Sequence, residues 1–428
     1  MDTIFALATA PGRAGVAIVR VSGPDIEALC NVLGLGTVPP RKPVLRSLAI
    51  DGEVIDNALI LRFERGSSFT GEEVLELHLH GSIAIRDAAL GALARVPGCR
   101  MADPGEFTRR ALENGRMDLT EVEGLAALID AETEAQRKQA QRVLSGALRE
   151  KAEAWRQALV EALAYLEVTI DFADEEVPVD VTPDVLTRLD GVLEDLSAEV
   201  DGSRIAERVR DGFEVAIVGA PNAGKSTLLN AIAGRSLAIT SDVPGTTRDV
   251  IEAHMVLEGL PVTFLDTAGL RETEDTVEGL GVERTLARAA DADLRVFLRS
   301  AGDTPYRVDV GPDDIEIWGK ADLNPAASPS VSGTTGAGLD DLLSRVSRVL
   351  ADRAARVGVA IDVRHRNAIG VAHKALTEAR AGMVEGTAES EIVAEHIRTA
   401  LDQLDHLVGR VGVEDILDVV FSRFCLGK

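Results

Sequence analysis

Aromatic residues make up only 3% of this 428-residue chain, so Leu, Val, Ile and Ala must build most of its cores. Cysteine is nearly as scarce. Cys30, Cys99 and Cys425 are too few to frame a disulfide-stapled fold in a chain this long, and Cys30 and Cys99 are expected to be inert buried thiols. No run approaches the ~18 apolar residues of a membrane span. The opening MDTIFALATAPG lacks the basic stretch of a secretory signal. A reducing cytoplasmic setting, with no membrane role, is the expectation. Basic residues are also short: 45 Lys and Arg face 70 Asp and Glu, a formal charge of −25. That balance argues against a general electrostatic grip on nucleic acid, which runs on Lys and Arg displacing counterions.

Hydrophobic residues at 46% exclude global disorder, and the length implies two or three domains. Up to about residue 115, β-branched runs such as Val16–Val19 and Ala58–Leu61 alternate with Gly and Pro clusters, the texture of a mixed α/β region. Helical texture begins near residue 117, where Thr120 and Glu123 have the spacing of a capping box. Trp155, Leu159, Leu163, Leu166 and Ile170 then share one helical face. Residues 171–200 carry ten acids against one base, whereas 131–160 carries six bases against four acids. The latter is a local stretch where tRNA or an acidic partner could touch. Residues 211–350 alternate strand-like and helical runs, as a doubly wound α/β domain does, and 360–428 return to helix. A helical region split this way suggests an inserted domain.

Gly219-Ala220-Pro221-Asn222-Ala223-Gly224-Lys225-Ser226 fits the phosphate-binding pattern G-x-x-x-x-G-K-[ST] between the strand-like run Phe213–Val218 and a helical run from Ser226 to Ala233. Its glycines let backbone N–H groups approach phosphate, the helix N-terminus adds positive dipole, Lys225 offsets phosphate charge and Ser226 is placed to ligate Mg²⁺. Asp266-Thr267-Ala268-Gly269 supplies a D-x-x-G element after the apolar run Val262–Leu265. There Asp266 supports the Mg²⁺ shell and Gly269 senses the γ-phosphate. Lys320-Ala321-Asp322 resembles the end of the N-K-x-D guanine reader, whose carboxylate accepts from the two N–H edges that adenine lacks. These motifs favour GTP over ATP. The Asn of that reader is Gly319 here, a departure that removes a base contact and a tether to the phosphate loop and predicts weakened guanine selectivity. Ser332-Gly333-Thr334 sits where a further base-contacting loop belongs.

In Ras-like enzymes a Gln after D-x-x-G orients the attacking water, but here that place is Leu270. Glu272, Glu274, Asp275 and Glu278 are all candidates for that task on local sequence alone. Arg248 and Arg271 read as surface charges near a switch before they read as arginine fingers. His78 and His80 alternate along a strand-like run, a pattern of strand packing rather than of a metal site.

Three further stretches carry a family resemblance: DTIFALATAPGRAGVAIVRVSGP from Asp2, FTGEEVLELHLHG from Phe69 and PGEFTRRALENGRMDLTEVEGLAALIDAET from Pro104. With the GTPase motifs and the terminal Cys425-Leu426-Gly427-Lys428, the chain closely resembles the tRNA modification GTPase family called MnmE or TrmE, over essentially its whole length.

The resemblance implies a multidomain α/β plus all-α molecule. An N-terminal α+β folate-binding and dimerisation domain would cover 1–116. A helical domain would cover 117–208 and 356–428, and a Ras-like P-loop G domain would be inserted at 209–355. It further implies a homodimer working with an FAD-dependent MnmG (GidA) partner, as a heterotetramer, on the wobble uridine of certain tRNAs. A (carboxymethyl)aminomethyl group would be added at C5, with a tetrahydrofolate derivative in its 5-formyl or methylene form supplying carbon.

By position, Asn222, Ser241, Val243 and Thr246 match the ligands of a potassium ion standing where an arginine finger would, and Ser226 and Thr247 match the Mg²⁺ ligands. Ala223, Gly224, Lys225, Thr227, Asp242, Pro244, Gly245, Asp266, Thr267, Ala268, Gly269, Lys320 and Asp322 complete the implied GTP contacts. Glu278 matches the family's water-orienting glutamate. Arg20, Glu76, Arg116 and Lys428 match folate-binding positions, with Cys425 beside them; Arg116 is often Lys in the family. Two other readings compete: a regulatory ribosome-assembly-type GTPase without modification chemistry, and a folate-dependent aminomethyl transferase with GTP as regulator only.

Overall fold

The computed structural model describes residues 2–171, 180–220, 222–235, 252–266, 291–300, 309–324 and 326–410, together with Leu417, Phe421, Phe424 and Gly427. They fall into two compact units. The first comprises Met1–Ala126, Leu144–Arg156 and Leu401–Lys428, and the second Ala127–Val143 and Gln157–Ala400.

In the first unit, strands β1 (Thr3–Leu7), β2 (Val16–Ser22), β3 (Val44–Ile50), β4 (Glu53–Phe63), β5 (Val74–His80) and β6 (Cys99–Met101) form one sheet in the order β3-β4-β5-β2-β1-β6. Only β1 and β6 run parallel among its pairs. Alternation along the strands decides the faces. Phe5, Val19, Val21, Leu75 and Leu77 point into a core closed by helices α1 (Ile26–Val32) and α2 (Ile83–Leu93). On the opposite face of β1, Ile4 and Ala6 pack with Phe107 of helix α3 (Glu106–Glu113).

Helix α3 is pinned by charge. Glu106 accepts from Arg100, from Arg110 and from the Asp103 N–H. Burial alone would raise its carboxyl pKa, but these donors outweigh burial and hold it low. Arg110, itself buried, also reaches Glu72 and Asp2. Cys30 is buried, whereas Cys99 is only half-buried, because β6 is a three-residue edge strand; burial raises both thiols.

Helix α4 (Leu119–Ile129) corrects one expectation. Its start is capped by Asp118 and Glu121, not by Thr120 and Glu123. Asp118 Oδ1 accepts the Glu121 N–H at 2.9 Å, and Glu121 Oε2 accepts the Asp118 N–H at 2.9 Å. The box therefore lies two residues earlier, because Asp118 caps as well as a hydroxyl does and Thr120 gives its own hydroxyl proton to Asp118.

The second unit contains helices α5 (Glu134–Leu144), α6 (Ala147–Asp171), α7 (Thr182–Asp211), α8 (Lys225–Arg235), α9 (Leu339–Ala354), α10 (Val363–Glu385) and α11 (Ser390–Val408), with α5, α6 and α11 extending into the segments of the first. Along α6, Trp155, Leu159 and Leu166 are buried. Helix α7 packs along α10, the former burying Leu189, Val192 and Leu196, the latter Ile369, Ala372 and Leu376.

Strands β7 (Phe213–Gly219), β8 (Glu252–Leu257), β9 (Leu260–Asp266), β10 (Leu294–Arg299) and β11 (Ile315–Trp318) build a sheet in the order β11-β10-β7-β9-β8. All its pairs are parallel except β8 with β9. Its central strands β7 and β10 are buried on both faces over Val215–Val218 and Val296–Leu298, which is why those stretches read as apolar runs. Val215, Ile217, Phe264 and Val296 meet Leu228, Ile232, Leu342 and Val346 of α8 and α9 on one face; Ala216, Val218 and Phe297 cluster separately.

The chain leaves α7 for this sheet and returns beside it. The Gly358 N–H donates to the Gly202 carbonyl at 3.2 Å, and buried Glu199 accepts the Val359 N–H at 2.9 Å. Arg210 reaches the Ile361 carbonyl at 3.0 Å and the Asp362 carboxylate at 3.2 Å.

Candidate functional site

Ligands of open α/β sheets gather at the carboxyl ends of the strands, and β7, β9, β10 and β11 all end on one rim. From β7 the chain passes through the phosphate-loop motif into α8, whose first residue is Lys225. Asn222 takes φ +64° and Gly224 φ +103°. This left-handed backbone suits Asn and Gly and turns the loop tightly. Lys225 is 5% exposed, and its Nζ donates to the Gly219 and Ala220 carbonyls at 2.8 and 2.9 Å. Ser226 Oγ donates to Asp266 Oδ2 at 2.5 Å, joining the start of α8 to the end of β9. A hydroxyl and a buried carboxylate converging at the loop are hard oxygen donors of the kind Mg²⁺ takes.

Beside the loop lies a cavity lined by Ala223, Gly224, Thr227, Leu298, Gly319, Lys320, Asp322, Ser332, Gly333 and Thr334 among others. Lys320 takes φ +54° just after β11. Asp322 is exposed to the cavity, and its Oδ1 accepts from the hydroxyl of buried Ser332 at 2.6 Å. That contact fixes the carboxylate and leaves its second oxygen for a ligand. Ser332 is thereby placed as a support for Asp322, whereas its motif position suggested only a base-contacting loop.

A second cluster occupies the face of the first unit's sheet opposite its main core. Arg20 on β2 and Glu76 on β5 are register partners, and Arg20 Nε donates to Glu76 Oε1 at 3.0 Å. His78 Nε2 lies 3.3 Å from the other carboxylate oxygen. The Arg20 guanidinium stands 5.8 Å from the Phe69 ring centre and 5.9 Å from that of Phe107, within cation–π range. One of its remaining donors reaches the Gly427 carbonyl at 3.5 Å, which brings Gly427 to the cluster. Arg116 is exposed and packs its stem near Gly71. Planar donors and acceptors flanked by rings suit a flat, polar heterocycle. Sequence reasoning overlooked Phe69 and Phe107, although both lie in the segments that carry the family resemblance, and it read His78 as strand packing rather than as a partner of Glu76.

The model of the MnmE helical domain matches residues 119–425, and that of the GTP-binding protein TrmE N-terminus matches residues 3–116. The tRNA modification GTPase MnmE of Cereibacter sphaeroides is 57% identical over 428 residues, covering 100% of both chains. The chain belongs to the MnmE family. MnmE proteins of Ruegeria sp. and Paracoccus denitrificans are 54% and 48% identical, again over 100% of each chain. Among solved structures, the FeoB G domain of Methanococcus jannaschii is similar to 33% of this chain and covers 98% of its own, at 20% identity and a TM-score of 0.23.

Of the residues singled out by likeness to MnmE, the structure brings Asn222, Ala223, Gly224, Lys225, Ser226, Thr227 and Asp266 to one loop and strand end, with Lys320 and Asp322 beside it. It brings Arg20 and Glu76 together, while the Arg116 stem packs near Gly71. Ser241, Asp242, Val243, Pro244, Gly245, Thr246, Thr247, Thr267, Ala268, Gly269, Glu278, Cys425 and Lys428 lie outside the described residues. Among the described residues, no helix is long and apolar enough to cross a membrane, and His78 and His80 pair with Glu76 and Asp56.

Proposed function

We propose that this MnmE-family chain hydrolyses GTP at the rim of the five-stranded sheet and couples that cycle to modification at C5 of the wobble uridine of certain tRNAs. The observation that carries the reading is the convergence of Lys225, the Ser226–Asp266 pair and the Ser332-held Asp322 on one rim, in a chain with full-length MnmE relatives. The loop N–H groups and Lys225 bind the phosphates; Asp322 orients the base through its N–H edge. Ser226 and Asp266 would hold Mg²⁺, with Thr247 as a further ligand; the ion offsets charge on the β- and γ-phosphates. Asn222, with Ser241, Val243 and Thr246, would hold K⁺, which adds positive charge between the same phosphates. Glu278 orients the attacking water.

At the second cluster, Glu76 accepts from the amino edge of a tetrahydrofolate derivative, while Arg20, Arg116 and Lys428 bind its carbonyls or glutamate tail. Phe69 and Phe107 flank the guanidinium there. The bound folate supplies a one-carbon unit. A homodimer, an FAD-dependent MnmG-type partner and a cytoplasmic setting complete the proposal.

Mass spectrometry of tRNA nucleosides from cells lacking the chain tests it. Loss of the C5 modification is expected. Unchanged wobble uridines would favour a regulatory assembly GTPase instead.

A further inference from the structure

Gly319 occupies the place where a guanine reader carries Asn, and the packing around it gives that glycine a task. It follows β11 directly, and its N–H donates to the Arg299 carbonyl at 2.8 Å. A Cβ built on it would lie 2.8 Å from the Ala223 carbonyl oxygen and 3.1 and 3.2 Å from Cγ and Cδ1 of Leu298. The first distance is one that real Cβ atoms essentially never show, and the atom met is backbone rather than a flexible tip.

Neither neighbour has room to move. Ala223 is 1% exposed in the phosphate loop, and its N–H donates to the Ala220 carbonyl at 3.1 Å. Its flanking residues hold left-handed backbone. Leu298 is 1% exposed in the sheet core, and its own carbonyl lies against Gly219 at the loop's start. Backbone therefore lies against backbone where Gly219 meets Leu298 and where Gly319 meets Ala223, with the Leu298 side chain packed against Gly319.

We propose that Gly319 is a positioning residue for the phosphate loop: direct contact with the Ala223 carbonyl replaces the side-chain tether that Asn provides in an N-K-x-D reader. The proposal rests on the GTP-binding reading. It leads to an inverted expectation, in which restoring Asn displaces the loop and weakens nucleotide binding. Because the displaced part holds phosphate, the loss is shared by every nucleotide. Base discrimination stays with Asp322.

Calorimetric titration of the full-length protein with GTP, GDP and inosine triphosphate tests this. The parent chain is compared with Gly319→Ala, Gly319→Asn and Asp322→Asn. Both Gly319 variants are expected to lose roughly tenfold or more in affinity for all three nucleotides, the scale of a misplaced binding loop. Their ratio of GTP to inosine triphosphate affinity stays at the parent value, whereas Asp322→Asn changes that ratio. A global fold defect would appear in the melting temperature without nucleotide. Should Asn prevent folding, Ala decides alone, since it adds only the one atom in question. Tighter GTP binding by Gly319→Asn, unchanged affinity in Gly319→Ala, or a shifted nucleotide ratio would overturn the proposal. A parent chain that binds none of the three would instead remove the GTP-binding reading itself.

Discussion

Lys225 holds its ammonium against two carbonyls of its own loop, and Ser226 holds its hydroxyl proton against Asp266. On the proposed reading, both contacts would exchange for a triphosphate and Mg²⁺, so the loop is shaped before its ligand enters. Turnover asks for more than that. Replacing Glu278 with Ala should leave GTP affinity nearly unchanged and lower the single-turnover rate by roughly 10²-fold or more, typical of losing a water-positioning group; a normal rate would return the role to Glu272, Glu274 or Asp275. The same assay in K⁺ and in Na⁺ should run faster in K⁺, on the strength of Asn222 and the 241–247 segment. Equal rates would remove the potassium site. Residue by residue, the motif with the most rigid spacing was the most legible: the phosphate loop reads directly from Gly219 to Ser226. What Gly319 does was hidden, because a missing side chain names no partner until Ala223 is placed against it.

Among the elements, helix α4 shows how a cap is assigned by geometry. Asp118→Ala removes an acceptor from the first turn and should lower stability by about 1 kcal/mol in urea unfolding; an unmoved midpoint would return the cap to Thr120. The strands were easier to read than the caps. The runs Phe213–Val218, Val262–Leu265 and Ile315–Trp318 lie inside β7, β9 and β11, because each is mostly apolar, with Glu214, Thr263 or Glu316 as its one polar residue. In the first unit's sheet, alternation made His78 and His80 recognisable as sharing a face. The pairing of Glu76 with Arg20 is a matter of register between strands that lie far apart in sequence, and local pattern carries no information on that. The Arg110, Glu72 and Asp2 network escaped for the same reason.

For the whole molecule, the charge of −25 makes dependence on a partner the natural expectation for any tRNA chemistry. The isolated chain should bind tRNA weakly, with affinity falling roughly tenfold or more between 50 and 200 mM salt. Fluorescence anisotropy measures this, and tight binding that ignores salt would contradict it. The contacts that tie Gly358 to Gly202 of α7, and Ile361 to Arg210 at the end of that helix, carry a consequence of another kind. Exit and return points that touch make the sheet-bearing segment a closed loop on its helical base. Cutting it out leaves two ends that a few residues can bridge. A spliced chain joining Arg210 to Ile361 through a short glycine linker should keep the packing of α7 on α10. In engineering terms, the segment is a cartridge: one G domain could be exchanged for another without rebuilding the helices that carry it.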